Sequence, residues 1–155
     1  MGHSINWTGF RMTPERRALV ERSWENVRPH GARVAETFYA RLFELDPGAQ
    51  ALFRSTDMQA QGEKVIAMLA NVVSALDEPR WLVQELSALG RRHTDYGVVD
   101  SQYDTVRDAL FDAMAQTLGD AFDADTRDAW SETYALAAGL MRRGAASRSG
   151  SPSQA

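Results

Sequence analysis

The chain predicts an all-α fold of six or seven helices with short connections, and three observations carry that expectation. Apolar residues recur along its 155 residues at helical spacing, no segment alternates with the period of a strand, and each periodic run is bounded by helix start and stop signals. The apolar share of 44% is ordinary for a globular domain of this size, which is large enough to bury one core.

Thr13-Pro14-Glu15 opens the first helix: a hydroxyl at the N-cap, a proline at the first helical position, then an acid near the positive end of the dipole. Arg28-Pro29 stops it, since proline cannot continue the hydrogen-bond ladder. A second helix from Gly31 carries Val34, Ala35, Phe38, Tyr39 and Leu42. Asp46-Pro47 ends it in a short turn closing at Ala51-Leu52-Phe53. From about Asp57 a further helix sets Met58, Gln61, Val65, Met68, Leu69, Val72 and Leu76 on one face. Asp77-Glu78-Pro79 begins the next, which Gly97 closes. Asp100-Ser101 caps a helix with Tyr103, Val106, Leu110, Met114 and Leu118 inward. Asp123 or Asp125 caps the last, with Trp130, Thr133, Ala137, Leu140 and Met141 inward. Residues 1–12 read as an N-terminal extension, 13–143 as the folded domain, and 144–155 as a Ser/Gly/Ala/Arg tail too poor in apolar residues to fold.

Composition excludes several chemistries. Without cysteine there are no disulfides, thiolate metal sites, cysteine nucleophiles or thioether-attached haem. A net charge of -4 with no basic cluster argues against nucleic acid or an anionic membrane as partner. The longest oily stretch, Val65 to Leu76, is broken by Asn71 and Ser74 and is too short to span a bilayer. The N-terminus lacks the apolar core of a signal peptide, so the expectation is a soluble cytoplasmic protein.

Three polar residues interrupt the apolar faces. His93 closes the stripe Leu82, Leu86, Leu89, His93, whose steps of 4, 3 and 4 keep all four on one face. The other histidines lie in a polar tail (His3) and in the breaker cluster Arg28-Pro29-His30-Gly31 (His30). Imidazole is the commonest metal ligand, although a lone histidine on an oily face is more often a core residue bonded to a carbonyl. Gln61 sits between Met58 and Val65, and Tyr39 shares a face with Ala35, Leu42 and Phe43. Burying an unpartnered amide or phenol costs roughly 1–3 kcal/mol. Three such residues on three helices point to one shared polar object, whereas singly Gln61 could bond a neighbouring helix and Tyr39 could reach the surface.

At this point the residues resemble a known family. The run Thr37-Phe38-Tyr39-Ala40-Arg41-Leu42-Phe43, then Asp46-Pro47 and Leu52-Phe53, resembles the second and third helices of a globin. Gln61-Gly62-Glu63-Lys64-Val65 and Leu89-Gly90-Arg91-Arg92-His93-Thr94-Asp95-Tyr96-Gly97-Val98 look like the distal and proximal haem walls, with 32 residues from Gln61 to His93. The resemblance covers about residues 13–143 and is strongest to single-domain bacterial haemoglobins and the globin half of flavohaemoglobins. It implies a 3-over-3 helical sandwich, its helices crossing at about 50°.

The resemblance further implies one non-covalent haem b with His93 as proximal iron ligand. Phe53 would stack on the porphyrin and Val65 would limit ligand size. Leu89 and Val98 would line the proximal side. Tyr39 and Gln61 would donate to bound dioxygen, and Lys64 and Arg92 could reach the propionates, although a solvated charge is the commoner role for each. No histidine is expected on the distal side, which leaves water, hydroxide or an internal ligand such as Lys64 for the ferric iron. Tyr103 matches the tyrosine that, with a glutamate of the last helix, polarises the proximal histidine in flavohaemoglobins. Where that glutamate should fall the chain reads Gly144-Ala145-Ala146, and no flavin or nicotinamide domain follows residue 155.

The implied function is reversible dioxygen binding for storage, delivery or scavenging, with carbon monoxide and nitric oxide as further ligands. The alternatives are a nitric oxide dioxygenase served by a separate reductase, a gas sensor, or a haem-free globin fold in signalling. His93, Phe53 and Gln61 together argue against the last. Weak peroxidase activity with an external reductant, and a monomeric or homodimeric state, remain open.

Overall fold

The computed structural model describes residues 12–95 and 101–149, and within them the side chains of all but residues 79, 93–95 and 145–149. These residues form six α-helices: α1 (Pro14–Val27), α2 (Gly31–Leu45), α3 (Met58–Ser74), α4 (Pro79–Asp95), α5 (Gln102–Leu118) and α6 (Ala124–Ser149). Short 3-10 turns cover Arg28–His30, Pro47–Phe53 and Gly119–Ala121. Helices α1, α3 and α4 form one layer, and α2, α5 and α6 the other. The main contacts across the layers are α4 on α6, α2 on α3 and α1 on α6, while α2 packs on α5 within its own layer. This is the expected all-α three-over-three sandwich.

The start signals act through the caps expected of them. The Thr13 hydroxyl accepts from the Arg16 N–H at 3.2 Å, and the Asp57 carboxylate accepts from the Gln59 and Ala60 N–H groups. Of the two candidates for the last helix, Asp123 is the cap, accepting from the Thr126 N–H at 2.9 Å. These bonds satisfy donors that a helix start otherwise leaves orphaned. Ser101 departs from expectation: its backbone is already helical and its side chain makes no capping bond. Asp100 and Gly97 lie outside the described residues.

Three further boundaries differ. Met12, placed in the extension, is 8% exposed and takes the Thr133 hydroxyl on its sulfur at 3.3 Å, so the core begins before Thr13. Helix α3 ends at Ser74, with Leu76 buried beyond it rather than on its face. Helix α6 runs on to Ser149 instead of ending at residue 143, because its last turns rest on α4.

The core joins the layers through apolar side chains and one buried polar chain. Val20, Val27, Val34, Leu82, Leu86, Phe111, Met114, Trp130 and Leu140 are almost wholly covered. Trp130 of α6 donates to the Ser23 hydroxyl of α1 at 2.7 Å, and Ser23 in turn donates to the Leu19 carbonyl at 2.8 Å. Trp24 lies 6.3 Å from the Trp130 ring, so the α1–α6 contact is both aromatic and hydrogen-bonded.

Two close crossings set where the site can be. A Cβ added at Gly62 of α3 would lie 2.9 Å from the Ala35 Cβ of α2. A Cβ at Gly90 of α4 would lie 2.0 Å from the Met141 carbonyl oxygen, and one at Gly144 would lie 2.0 Å from that of Ser87. At both crossings, missing side chains let two helix backbones approach more closely than ordinary packing allows.

These crossings should respond differently to an added methyl group. Gly62→Ala gains about 1 kcal/mol of helix propensity, yet a net loss of about 1–3 kcal/mol is expected from the overpacked crossing. Ala35→Gly in the same chain should recover part of that loss, because the obstacle is a side chain. Gly90→Ala meets backbone, so no trimmed neighbour should rescue it. Urea unfolding of the three single and paired variants checks both statements.

Candidate functional site

The crossing of α2 and α3 assembles the site. Ala35 and Tyr39 are one turn apart on α2, and Gly62 follows Gln61 on α3, so contact at Ala35–Gly62 brings the Gln61 side chain to the Tyr39 hydroxyl. The Gln61 amide stands near enough to the Tyr39 hydroxyl to act on its proton affinity. Tyr39 is 7% exposed, and burial raises its pKa above that of an ordinary phenol while the Gln61 amide offsets part of the rise. At neutral pH it is therefore a protonated phenol, able to donate.

Phe53 completes this group. Asp46-Pro47 ends α2 and turns the chain through the 3-10 segment Pro47–Phe53, which returns Phe53 edge-on to Tyr39 with centroids 5.4 Å apart. Phe43 stands 5.7 Å from Phe53 and 6.0 Å from Tyr39. Val65, one turn beyond Gln61, is half-buried against the core, as is Leu89 on α4. Lys64 and Arg92 are exposed. His30 is also exposed, at the start of α2, and stands away from the apolar face of that helix.

On the second wall, His93 lies in α4, one turn beyond Gly90 and its contact with α6. The His93 side chain and Val98 lie outside the described residues. Tyr103 is buried at the start of α5. Its backbone carbonyl accepts from the Tyr134 hydroxyl, and the Arg142 guanidinium lies over its ring, 4.8 Å from the centroid. Burial holds the Tyr134 phenol well above its usual pKa, which keeps it a donor.

The structure thus brings together Tyr39, Gln61 and Phe53, and it places Tyr103 against α6. The sequence reading missed Gly62, Gly90, Gly144, Tyr134 and Arg142. A glycine inside a helical pattern was the available signal for the first three, since it costs stability unless something needs the space. Nothing local marks Arg142 as the residue facing Tyr103, because that pairing joins two helices.

The family model Globin matches residues 36–141. A flavohemoprotein of Xylella fastidiosa is 30% identical over 133 residues, covering 84% of this chain and 33% of its own, and one of Deinococcus radiodurans is 29% identical over 132 residues. The chain therefore spans about a third of the length of these relatives. A Casuarina glauca protein named anaerobic nitrite reductase is 26% identical, with coverage of 84% of this chain and 89% of its own. Among solved structures, a hexacoordinated heme protein from an anhydrobiotic tardigrade superposes with a TM-score of 0.80 at 18% identity, covering 88% of this chain and 96% of that one. A Pseudomonas aeruginosa protein described as structurally highly homologous to a human hemoglobin gives a TM-score of 0.70 at 26% identity, covering 83% and 97%. With two thirds of its residues inside the family match and its helices stacked in the same three-over-three arrangement, the chain belongs to the globin family.

Proposed function

We propose that this globin binds one haem b without covalent attachment, through His93, and holds dioxygen reversibly with Tyr39 and Gln61. The observation that carries the reading is a buried, protonated phenol with the Gln61 amide beside it and the rings of Phe43 and Phe53 packed against it. The residues present fit the group. Phe53, Val65 and Leu89 are apolar and only half covered by protein, as side chains facing a flat apolar cofactor would be. Lys64 and Arg92 stand exposed where propionates could meet them. Haem, when bound, would supply an iron able to take a diatomic gas.

Each residue then has a role. His93 holds the iron from α4, and the α4–α6 crossing fixes the height of that helix. Phe53 stacks on the porphyrin, Val65 limits ligand size, and Leu89 and Val98 close the proximal side. The Gln61 amide, beside the Tyr39 oxygen, can donate to it and so leave the phenol hydrogen for the ligand. Dioxygen, which gains more negative charge on binding than carbon monoxide does, is the ligand such a donor favours. On the proximal side a cation, Arg142, faces Tyr103 where a flavohaemoglobin-like site would present an anion. That supports holding dioxygen over cleaving it. The relatedness to flavohemoproteins supports the alternative, a nitric oxide dioxygenase that takes electrons from a separate reductase.

Acid acetone should extract haem from the purified protein, and His93→Ala should lose most of its Soret absorbance. Haem that stays with the polypeptide, or a variant that binds it as tightly as the wild type, would overturn the assignment. Tyr39→Phe should speed dioxygen release about tenfold or more, since a buried bond to a partly charged acceptor contributes about 1.5–3 kcal/mol. Gln61→Leu should act through Tyr39, so the double variant should fall short of the summed effects in stopped-flow dissociation. Unchanged rates in all three would remove Tyr39 and Gln61 from the ligand site.

A further inference from the structure

A cleft of about 330 Å3 lies between α5 and α6 and shares no residue with the Tyr39–Gln61 pair. Five charged side chains line it, and they are unequally partnered. On α5, Arg107 reaches Asp108 at 3.2 Å and Asp104 at 3.7 Å, and Arg142 of α6 approaches the same Asp104 at 4.0 Å. Two carboxylates thus answer two guanidiniums. The third guanidinium, Arg127, has no carboxylate partner among the described residues. It lies instead over the rings of Phe111 and Phe122, at 5.3 and 5.8 Å from their centroids.

A guanidinium resting on ring faces keeps its N–H edge turned outward, and that edge is the part that grips a carboxylate with two parallel bonds. Ser131 stands one turn further along the same face of α6, half-buried, and its hydroxyl has no hydrogen bond within the protein among the described residues. Beneath them the floor is apolar, made by Phe111, which is 1% exposed, and Ala138, which is 4% exposed. An acidic chain with net charge -4 has here a pocket with one cation in surplus.

We propose that this cleft binds a small monocarboxylate with an apolar body, its carboxylate on Arg127 and Ser131 and its body against the half-buried Tyr134 ring and the exposed Ala135, which also line the cleft. The charge selects the class. One surplus cation balances one negative charge, whereas the second charge of a phosphate dianion would fall beside Asp104 and Asp108. This site does not depend on haem or on the distal residues.

Benzoate is a suitable probe, with benzamide as its uncharged isostere and inorganic phosphate as the dianion. In a nuclear magnetic resonance titration of the full chain, benzoate should shift the Arg127 side-chain Nε–H signal and saturate. Benzamide and phosphate should each bind roughly tenfold more weakly, the scale of one charge-assisted contact. Arg127→Gln should weaken benzoate about tenfold, Arg127→Lys less because the charge remains, and Arg33→Gln, an exposed arginine of α2, should have no effect. Equal binding of benzoate and benzamide, phosphate binding more tightly than benzoate, affinity unaltered in Arg127→Gln, or no shift at about 10 mM benzoate would each overturn the proposal.

Discussion

Residue 62 has no side chain, and the distal half of the site follows from that. A Cβ at position 62 would lie only 2.9 Å from the Ala35 methyl group, so α3 lies against α2 more closely than any larger pair would permit. That approach, and not the identity of Tyr39 or Gln61 alone, makes one a partner of the other. At ordinary helix separation the phenol and the amide would each need another partner, at a cost of about 1–3 kcal/mol for every group left unsatisfied. Closeness therefore gives the buried phenol a polar neighbour in the half-buried Gln61.

A second constraint of the same kind governs the opposite wall. Gly90 and Gly144 let α4 and α6 meet backbone to backbone, and His93 lies one turn beyond that contact. Since interiors are close-packed and deform little, anchoring α4 to α6 fixes the helix that carries the histidine. The same contact explains why α6 continues past residue 143. The stretch Gly144-Ala145-Ala146, where the resemblance called for a glutamate, opens on a glycine whose lack of a Cβ is what the Ser87 carbonyl requires. The cation–π contact of Arg142 with Tyr103 and the bond from Tyr134 to the Tyr103 carbonyl then tie α5 to α6 in place of an acidic link.

Much of this was legible in advance, for reasons that are local. Thr13, Asp57 and Asp123 cap because a short side-chain oxygen satisfies a neighbouring N–H wherever a helix starts. The stripes on α2 and α5 turned inward because period 3.6 leaves an oily face no other place to go. Tyr39 and Gln61 stand out in the sequence as polar interruptions of such faces, and Phe53 through the resemblance; the structure sets both Gln61 and Phe53 beside Tyr39. Local rules failed where long-range packing supplied the energy. Met12 is core because Thr133 and α6 cover it, and Ser101, whose backbone is already helical, makes no capping bond.

The sequence by itself determined the helices, their inward faces and the family, since these depend on spacing and on residue chemistry along one strand of chain. Packing in three dimensions settles which glycines are crossings, that Arg142 lies over the Tyr103 ring, and that Arg127, of the three arginines in the α5–α6 cleft, has no carboxylate partner among the described residues. Each of these depends on distances between residues remote in sequence, which helix packing sets and no local pattern encodes.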